Sequence, residues 1–145
     1  MESEKTLAII KPDGMKHKEE IIRRIKSAGL EIASQRKERI RTNIASEFYK
    51  HVKEKRGNAI YQSLIDYMTS DDVMLLVLQG EDAVSRLRKI TGFTDPECAE
   101  KGTIRGDLGT DKMRIADQEQ RTTRNIIHSS GTPEEAQKEI AFFFN

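Results

Sequence analysis

The sequence predicts an α+β fold built on a four-stranded antiparallel sheet. Three observations carry this. The apolar runs Thr6–Ile10 and Val73–Leu78 are too short for helices and are closed by turn residues. Amphipathic stretches with helical spacing lie between and around them. The resulting order, β-α-β-α-α-β-α-β-α, contains two βαβ-like halves within 145 residues, the length of one compact domain.

Each element has its own signal. Thr6-Leu7-Ala8-Ile9-Ile10 ends at Lys11-Pro12-Asp13-Gly14, where Pro fixes φ and Gly accepts a positive one. From Glu19 to Ala28, Ile21, Ile22 and Ile25 share one face of a helix that Gly29 stops. Leu30 to Arg39 reads as a strand with a polar far end. Ser46 to Lys55 and Ala59 to Met68 are predicted helices. Val73–Leu78 is apolar on both faces, as an internal strand must be, and Gly80 ends it. Ala83, Leu87 and Ile90 line the next helix. Asn125-Ile126-Ile127-His128 is the predicted last strand. Thr132 then caps a final helix, with Pro133 at its first position and Glu135 completing a capping box. This plan is a ferredoxin-like βαββαβ sandwich, with helices packed on the sheet. No linker or repeat interrupts it, so residues 1–145 read as a single domain with an enlarged loop at about 108–124.

Composition narrows the function. Hydrophobic residues make up 36% and fall in patterned segments, which argues against global disorder. The 25 basic and 24 acidic residues leave a net charge of +1. A protein that neutralises a nucleic-acid backbone needs a clear positive excess, so phosphate chemistry here is expected to be local. The one cysteine, Cys98, lies among Asp95, Glu97 and Glu100, which oppose thiolate formation, and it reads as inert. A lone thiol fits a reducing compartment. No segment reaches membrane-spanning length, and Met1–Lys5 does not begin a leader. A cytoplasmic protein without a membrane partner is therefore expected.

Of three histidines, His17 and His51 sit among lysines and read as solvated. His128 differs: it ends a predicted buried strand and precedes Ser129-Ser130-Gly131. On position alone, a nucleophile and a core histidine bonded to backbone are equally open. Lys11 ends another buried strand, Arg88 sits on a helix leading to Thr91-Gly92-Phe93-Thr94, and Arg105 lies between Gly102 and Gly106. Guanidinium forks match phosphate oxygens, although each cation taken singly is more often a surface charge. No P-loop, GxGxxG or metal-ligand spacing is present.

Together, Ile10-Lys11-Pro12-Asp13-Gly14, Gly102-Thr103-Ile104-Arg105-Gly106-Asp107 and Asn125-Ile126-Ile127-His128-Ser129-Ser130 resemble the signature segments of nucleoside diphosphate kinases, in the family's order. Arg88 to Asp95-Pro96 and Glu135–Ile140 fit the same pattern, so the resemblance runs from about Lys5 to Phe144. It implies transfer of a γ-phosphoryl group from a nucleoside triphosphate to a diphosphate by a ping-pong mechanism. His128 would be the phosphorylated nucleophile and Glu139 its orienting carboxylate, supported by Ser130. Lys11 and Tyr49 would contact the transferring phosphate. Arg88, Thr94 and Arg105 would hold the distal phosphates, and Asn125 the ribose. Mg²⁺ would arrive on the nucleotide phosphates, with no metal ligand from the protein. The resemblance also implies a homo-oligomer, with the family's hexamer as the expectation.

Three departures stand out. The family's base-stacking aromatic aligns with Ile60, with Tyr61 beside it, and either could cover the base. The stretch Leu108 to Arg124 is about ten residues longer than usual, the length of a lid or an interface. Gly131 stands where the family has an acid. These departures motivate an alternative, an inactive or regulatory nucleotide-binding relative. A nucleic-acid module resting on Arg36, Lys37, Arg39 and Arg41 is disfavoured, because the strands lack paired aromatics.

Overall fold

Residues 3–144 are described by this computed structural model; residues 1, 2 and 145, which the single-domain reading includes, lie outside the described residues. Strand β1 (Glu4–Ile10) runs into a 3₁₀ segment (Pro12–His17), helix α1 (Lys18–Ser27) and strand β2 (Glu31–Glu38). Three helices follow, α2 (Thr42–Phe48), α3 (Lys50–Arg56) and α4 (Asn58–Met68). Strand β3 (Val73–Gly80), helix α5 (Ala83–Thr91), and short helices α6 (Ile104–Leu108) and α7 (Met113–Gln118) lead to strand β4 (Ile127–Ser129) and helix α8 (Pro133–Phe144). The sheet order is β2-β3-β1-β4 with every neighbouring pair antiparallel, the predicted ferredoxin-like arrangement.

Both faces of the central strands are covered, which explains their continuous apolar runs. Strand periodicity sends alternate residues to opposite faces. Ala8, Ile10, Leu76 and Leu78 pack with Ile21 and Ile25 of α1 and Leu87 of α5. Leu7, Ile9 and Leu75 pack on the other face with Tyr49, Ile65 and Met68 of the α2–α4 region and Phe143 of α8. Leu7 through Ile10 are fully buried. Strand β2 is an edge and largely exposed, and a bulge between Ile32 and Ser34 shifts its register. Its basic run is partly engaged within the fold: Arg36 pairs with Glu38 and donates to the Phe143 carbonyl, while Arg39 donates to that of Thr69.

The structure corrects three sequence expectations. The helix predicted over Ser46–Lys55 is two helices, broken at Tyr49, whose backbone leaves helical geometry. Strand β4 begins at Ile127, two residues later than predicted, because Ile126 has φ of 76° and cannot lie in a ladder. At α8, Thr132 Oγ1 accepts from the Glu135 N–H at 3.1 Å, but the Glu135 carboxylate reaches past Thr132 to the Gly131 N–H, also at 3.1 Å. The box is therefore half formed, and a carboxylate lies beside Gly131 after all. Among the described residues no helix is long and apolar enough to cross a membrane. Cys98 is exposed, and its thiol donates to Asp95, which pushes its pKa up.

Candidate active site

Strand register sets the direction of His128. It pairs with Ile9, and cross-strand partners share a face, so the imidazole lies on the Ile9 side with Tyr49 and α8. Its neighbour Ile127 pairs with Ile10 and enters the opposite core. From α8, Glu139 Oε1 meets His128 Nε2 at 2.8 Å. The same oxygen accepts from Ser130 Oγ at 2.6 Å. Burial alone would raise the Glu139 carboxyl, but its bonds to His128 and Ser130 outweigh this and leave it lowered. The carboxylate is therefore charged at neutral pH and selects the imidazole tautomer with hydrogen on Nε2. Nδ1 has no hydrogen-bond partner among the described residues. The Phe48 ring packs edge-on against the imidazole, with centroids 5.7 Å apart.

Lys11 follows β1 and is buried. Its Nζ donates to Asn125 Oδ1 at 2.8 Å, and Asn125 Nδ2 donates to the Thr94 carbonyl at 3.0 Å. Burial, with Arg105 nearby, brings the Lys11 pKa down to about 7, against the opposing pull of Asp13. The segment carrying Asn125 is a γ-turn: the Ile127 N–H donates to the Asn125 carbonyl at 2.8 Å across Ile126, whose φ is 76°. A β-branched residue there costs about 1–3 kcal/mol. Neighbours hold it in place. The Ile126 N–H donates to Asp13 Oδ2 at 3.2 Å, and its carbonyl accepts from the Lys11 N–H at 2.8 Å. The Tyr67 hydroxyl donates to Asp13, whose pKa burial raises. A Cβ at Gly14 would collide with the Ile126 carbonyl oxygen, so only glycine allows this approach.

Arg105 belongs to the same clamp. It is 9% exposed, and its guanidinium donates to the carbonyls of Asn125 (3.1 Å), Gly92 (3.2 Å) and Ile127 (2.6 Å). Burial and the charge of Arg88 lower its pKa to about 10. The resemblance implies a phosphate contact for Arg105; in the structure its guanidinium braces the carbonyls on both sides of the strained turn.

The other expected residues converge. A cavity of about 360 Å³ is lined by Lys11, Tyr49, Ile60, Arg88, Thr94, Asn125, His128 and Glu139. A larger depression among Met15, His17 and Arg23 shows no such convergence. The Tyr49 hydroxyl is buried with no hydrogen-bond partner among the described residues, and burial with the Glu139 charge drives its pKa up, so it is a neutral donor. Arg88 is exposed and has no ion pair among the described residues. Ser130 stands behind Glu139. Tyr61 is turned away, donating to the Ser46 carbonyl at 3.0 Å, so Ile60 is the one of the pair that lines the cavity.

Sequence reading missed several lining residues. His51, read as solvated, is exposed but borders the cavity, and its proximity helps lower Glu139. Arg56 carries no motif. Glu135 restores an acid near Gly131. Met113, Arg121, Thr122 and Thr123 come from the stretch at about 108–124, which folds back onto the site. Among the described residues no group of three His, Cys, Asp or Glu side chains could cage a metal ion.

The chain is similar to known proteins in sequence and in fold. A model of the family described as nucleoside diphosphate kinase matches residues 4–145. The nucleoside diphosphate kinase of a Nitratiruptor species is 41% identical over 143 residues, covering 97% of this chain and 95% of that protein. Among solved structures, an NDP kinase from Pyrobaculum aerophilum superposes with a TM-score of 0.88 at 33% identity, covering 99% of this chain and 97% of that one. A transition-state mimic of the Borrelia burgdorferi nucleoside-diphosphate kinase, with bound vanadate and ADP, superposes with a TM-score of 0.91 at 27% identity, covering 99% of this chain and 88% of that one.

Proposed function

Since this chain belongs to the nucleoside diphosphate kinase family, we propose that its phosphoryl transfer runs through Nδ1 of His128. The activity is that of the family, transfer of a phosphoryl group between nucleoside tri- and diphosphates. The observation that carries the route is the pairing of His128 Nε2 with Glu139, which leaves Nδ1 as the free nucleophilic nitrogen in a cavity that also holds Lys11, Tyr49 and Arg88.

The Nδ1 lone pair attacks the γ-phosphorus. The bond from phosphorus to the β-phosphate oxygen breaks, and the nucleoside diphosphate leaves with that electron pair. The terminal oxygen of a second diphosphate then attacks the phosphohistidine, and the N–P bond breaks. Positive charge develops on the ring during the first step, and the Glu139 carboxylate stabilises it through the Nε2 proton. Lys11 and the neutral Tyr49 hydroxyl donate to the transferring group. Arg88 and Thr94 hold the distal phosphates, and Asn125 serves the ribose while positioning Lys11. Arg105 acts through the Asn125–Ile127 turn as a positioning residue. Mg²⁺ would arrive on the nucleotide phosphates and neutralise part of their charge, and Glu135, a carboxylate lining the cavity, would be available to its water shell. The assembly proposed is a family-like homo-oligomer.

The test is incubation with γ-labelled ATP, followed by a chase with a different diphosphate. Acid-labile label on the protein, passed on in the chase and lost in His128→Ala, is expected. Label that persists in His128→Ala, or ADP binding without any transfer, refutes the route.

A further inference from the structure

We infer that Tyr67, which does not line the cavity, is a positioning residue for phosphoryl transfer: its hydroxyl holds the Asp13 carboxylate that fixes the Asn125–Ile127 turn. The inference rests on the His128 reading, because its kinetic test follows the label on that residue.

Ile60, Leu64 and Tyr67 fall at helical spacing on one face of α4. The first two line the cavity, and the third lies beyond it. The Tyr67 ring is buried in the core cluster that holds Leu7 and Ile9. Phenylalanine would fill that space equally well, so packing alone does not account for the hydroxyl. The hydroxyl meets Asp13 twice. It donates to Asp13 Oδ1 and accepts the Asp13 N–H at 3.0 Å. The other carboxylate oxygen, Oδ2, accepts the Ile126 N–H at 3.2 Å. The ring reaches the same segment, since the Arg124 guanidinium lies over it, 5.3 Å from the centroid. One side chain of α4 thus holds the chain on both sides of Asn125, at Arg124 directly and at Ile126 through Asp13.

Without the hydroxyl, Asp13 Oδ1 and the Asp13 N–H lose their partner in a part-buried site, and the carboxylate is free to turn away from Ile126. Burial already pushes the Asp13 pKa up, and a donated proton favours the charged form, the better acceptor for the Ile126 N–H. Ile126, at φ of 76°, persists there only while its neighbours hold it. When it relaxes, Asn125 moves with it, and the bond from Lys11 Nζ to Asn125 Oδ1 is disturbed. Tyr67 therefore acts on the reacting groups through Asp13, Ile126 and Asn125.

The experiment compares wild type, Tyr67→Phe, Asn125→Ala and the double variant. Tyr67→Phe keeps the ring in the core and beneath Arg124, and removes only the hydroxyl. The rate of protein labelling by saturating γ-labelled ATP is measured in a single turnover. Tyr67→Phe is expected to slow it about fivefold to fiftyfold, since small misplacements caused far from the reacting atoms are costly. On the Asn125→Ala background the same change should cost less than about twofold, because the route through Asn125 is already cut. Isotopic labelling of the isoleucine amides separates a slackened turn from general destabilisation. Exchange of the Ile126 amide should quicken about tenfold in Tyr67→Phe, while Ile9 and Ile10 of β1 keep their wild-type rates. A labelling rate within about twofold of wild type overturns the inference, as do losses that multiply in the double variant. Unchanged exchange at Ile126, or equally faster exchange at all three isoleucines, also overturns it. Wild-type protein that takes no label from ATP sinks the His128 route instead, and exchange at Ile126 still judges the hold of Tyr67 on the turn.

Discussion

Replacing Glu139 with glutamine tests the reading of His128 at its most exposed point. The substitution keeps shape and removes charge. Glu139 Oε1 accepts two hydrogen bonds, from His128 Nε2 at 2.8 Å and from Ser130 Oγ at 2.6 Å. Ser130 Oγ in turn receives the Leu7 N–H at 3.4 Å, which leaves the Ser130 proton free to donate outward. A glutamine is therefore held with its carbonyl oxygen toward both donors, and the tautomer survives. What disappears is the charge that stabilises a cationic ring in the transition state. A hydrogen bond to a charged group contributes about 1.5–3 kcal/mol, against about 1 for a neutral one. The difference, about 0.5–2 kcal/mol, predicts a fall of roughly 2- to 30-fold in the rate of His128 phosphorylation. Adding Ser130→Ala removes the anchor and lets the amide rotate its NH₂ toward Nε2. That favours the tautomer with hydrogen on Nδ1, which cannot attack. The double variant should then lose more than the product of the single losses. The assay is rapid-quench phosphorylation by labelled ATP in a single turnover, with acid-labile protein phosphate as the readout. A rate for Glu139→Gln equal to or above that of wild type, or single effects that simply multiply in the double variant, refutes the tautomer-and-charge argument.

Two other perturbations follow from the same geometry. Lys11 is held at about 7 in the folded protein against 10.5 when solvated, so between these values the unfolded chain carries more protons. Unliganded stability should rise with pH through that window, by at most about 1.4 kcal/mol per unit, and Lys11→Met should remove this rise in paired denaturant titrations. Bound phosphates restore the charge, so ADP binding near pH 8 should take up protons in wild type but not in Lys11→Met, as read by calorimetry in buffers of different ionisation enthalpy. Gly14→Ala drives a Cβ into the Ile126 carbonyl oxygen, which already accepts the Lys11 N–H. Its stability should fall by about 2–4 kcal/mol, with a loss of kcat/KM, the first measured by thermal melting and the second by steady-state assay.

How much of this was legible in the sequence depends on where the signal resides. Strands β1 and β3 were readable because both faces are buried, and continuous apolar runs of that length have few other uses. His128, Glu139 and Lys11 were readable as a set only through the resemblance to the family's signature segments. The break at Tyr49 was not, because its cause is tertiary: the aromatic ring enters the core beside Phe48, and the chain must turn to let it. The backbone contacts of Arg105 were hidden for a similar reason. A guanidinium between glycines suits a ligand and a set of backbone carbonyls equally well, and only burial separates the two. Met113 and Arg56 carry no local pattern at all. Their place at the cavity arises from tertiary contacts such as Arg56–Asp117, which joins residues 61 positions apart.

The place where local rules fail most clearly is also the place where the chemistry converges. An Asn-Ile-Ile-His run has every reason to extend as a strand from its first residue, and the sheet edge is open to it. Instead Ile126 stands at positive φ, and the energy of that turn is offset by contacts from several directions: Asp13 to its N–H, Lys11 to its carbonyl, and Arg105 to the carbonyls on either side. An extended Ile126 would turn Asn125 to the other side of the chain and separate its amide from Lys11 and Thr94. The clamp therefore does something a regular strand cannot. It delivers Asn125 and His128, three residues apart, into one cavity, while Ile127 between them remains fully buried on the opposite face. Arg105 braces this unfavourable turn from both sides, and its planar fork meets three backbone carbonyls that the compact ammonium of a lysine could not meet together.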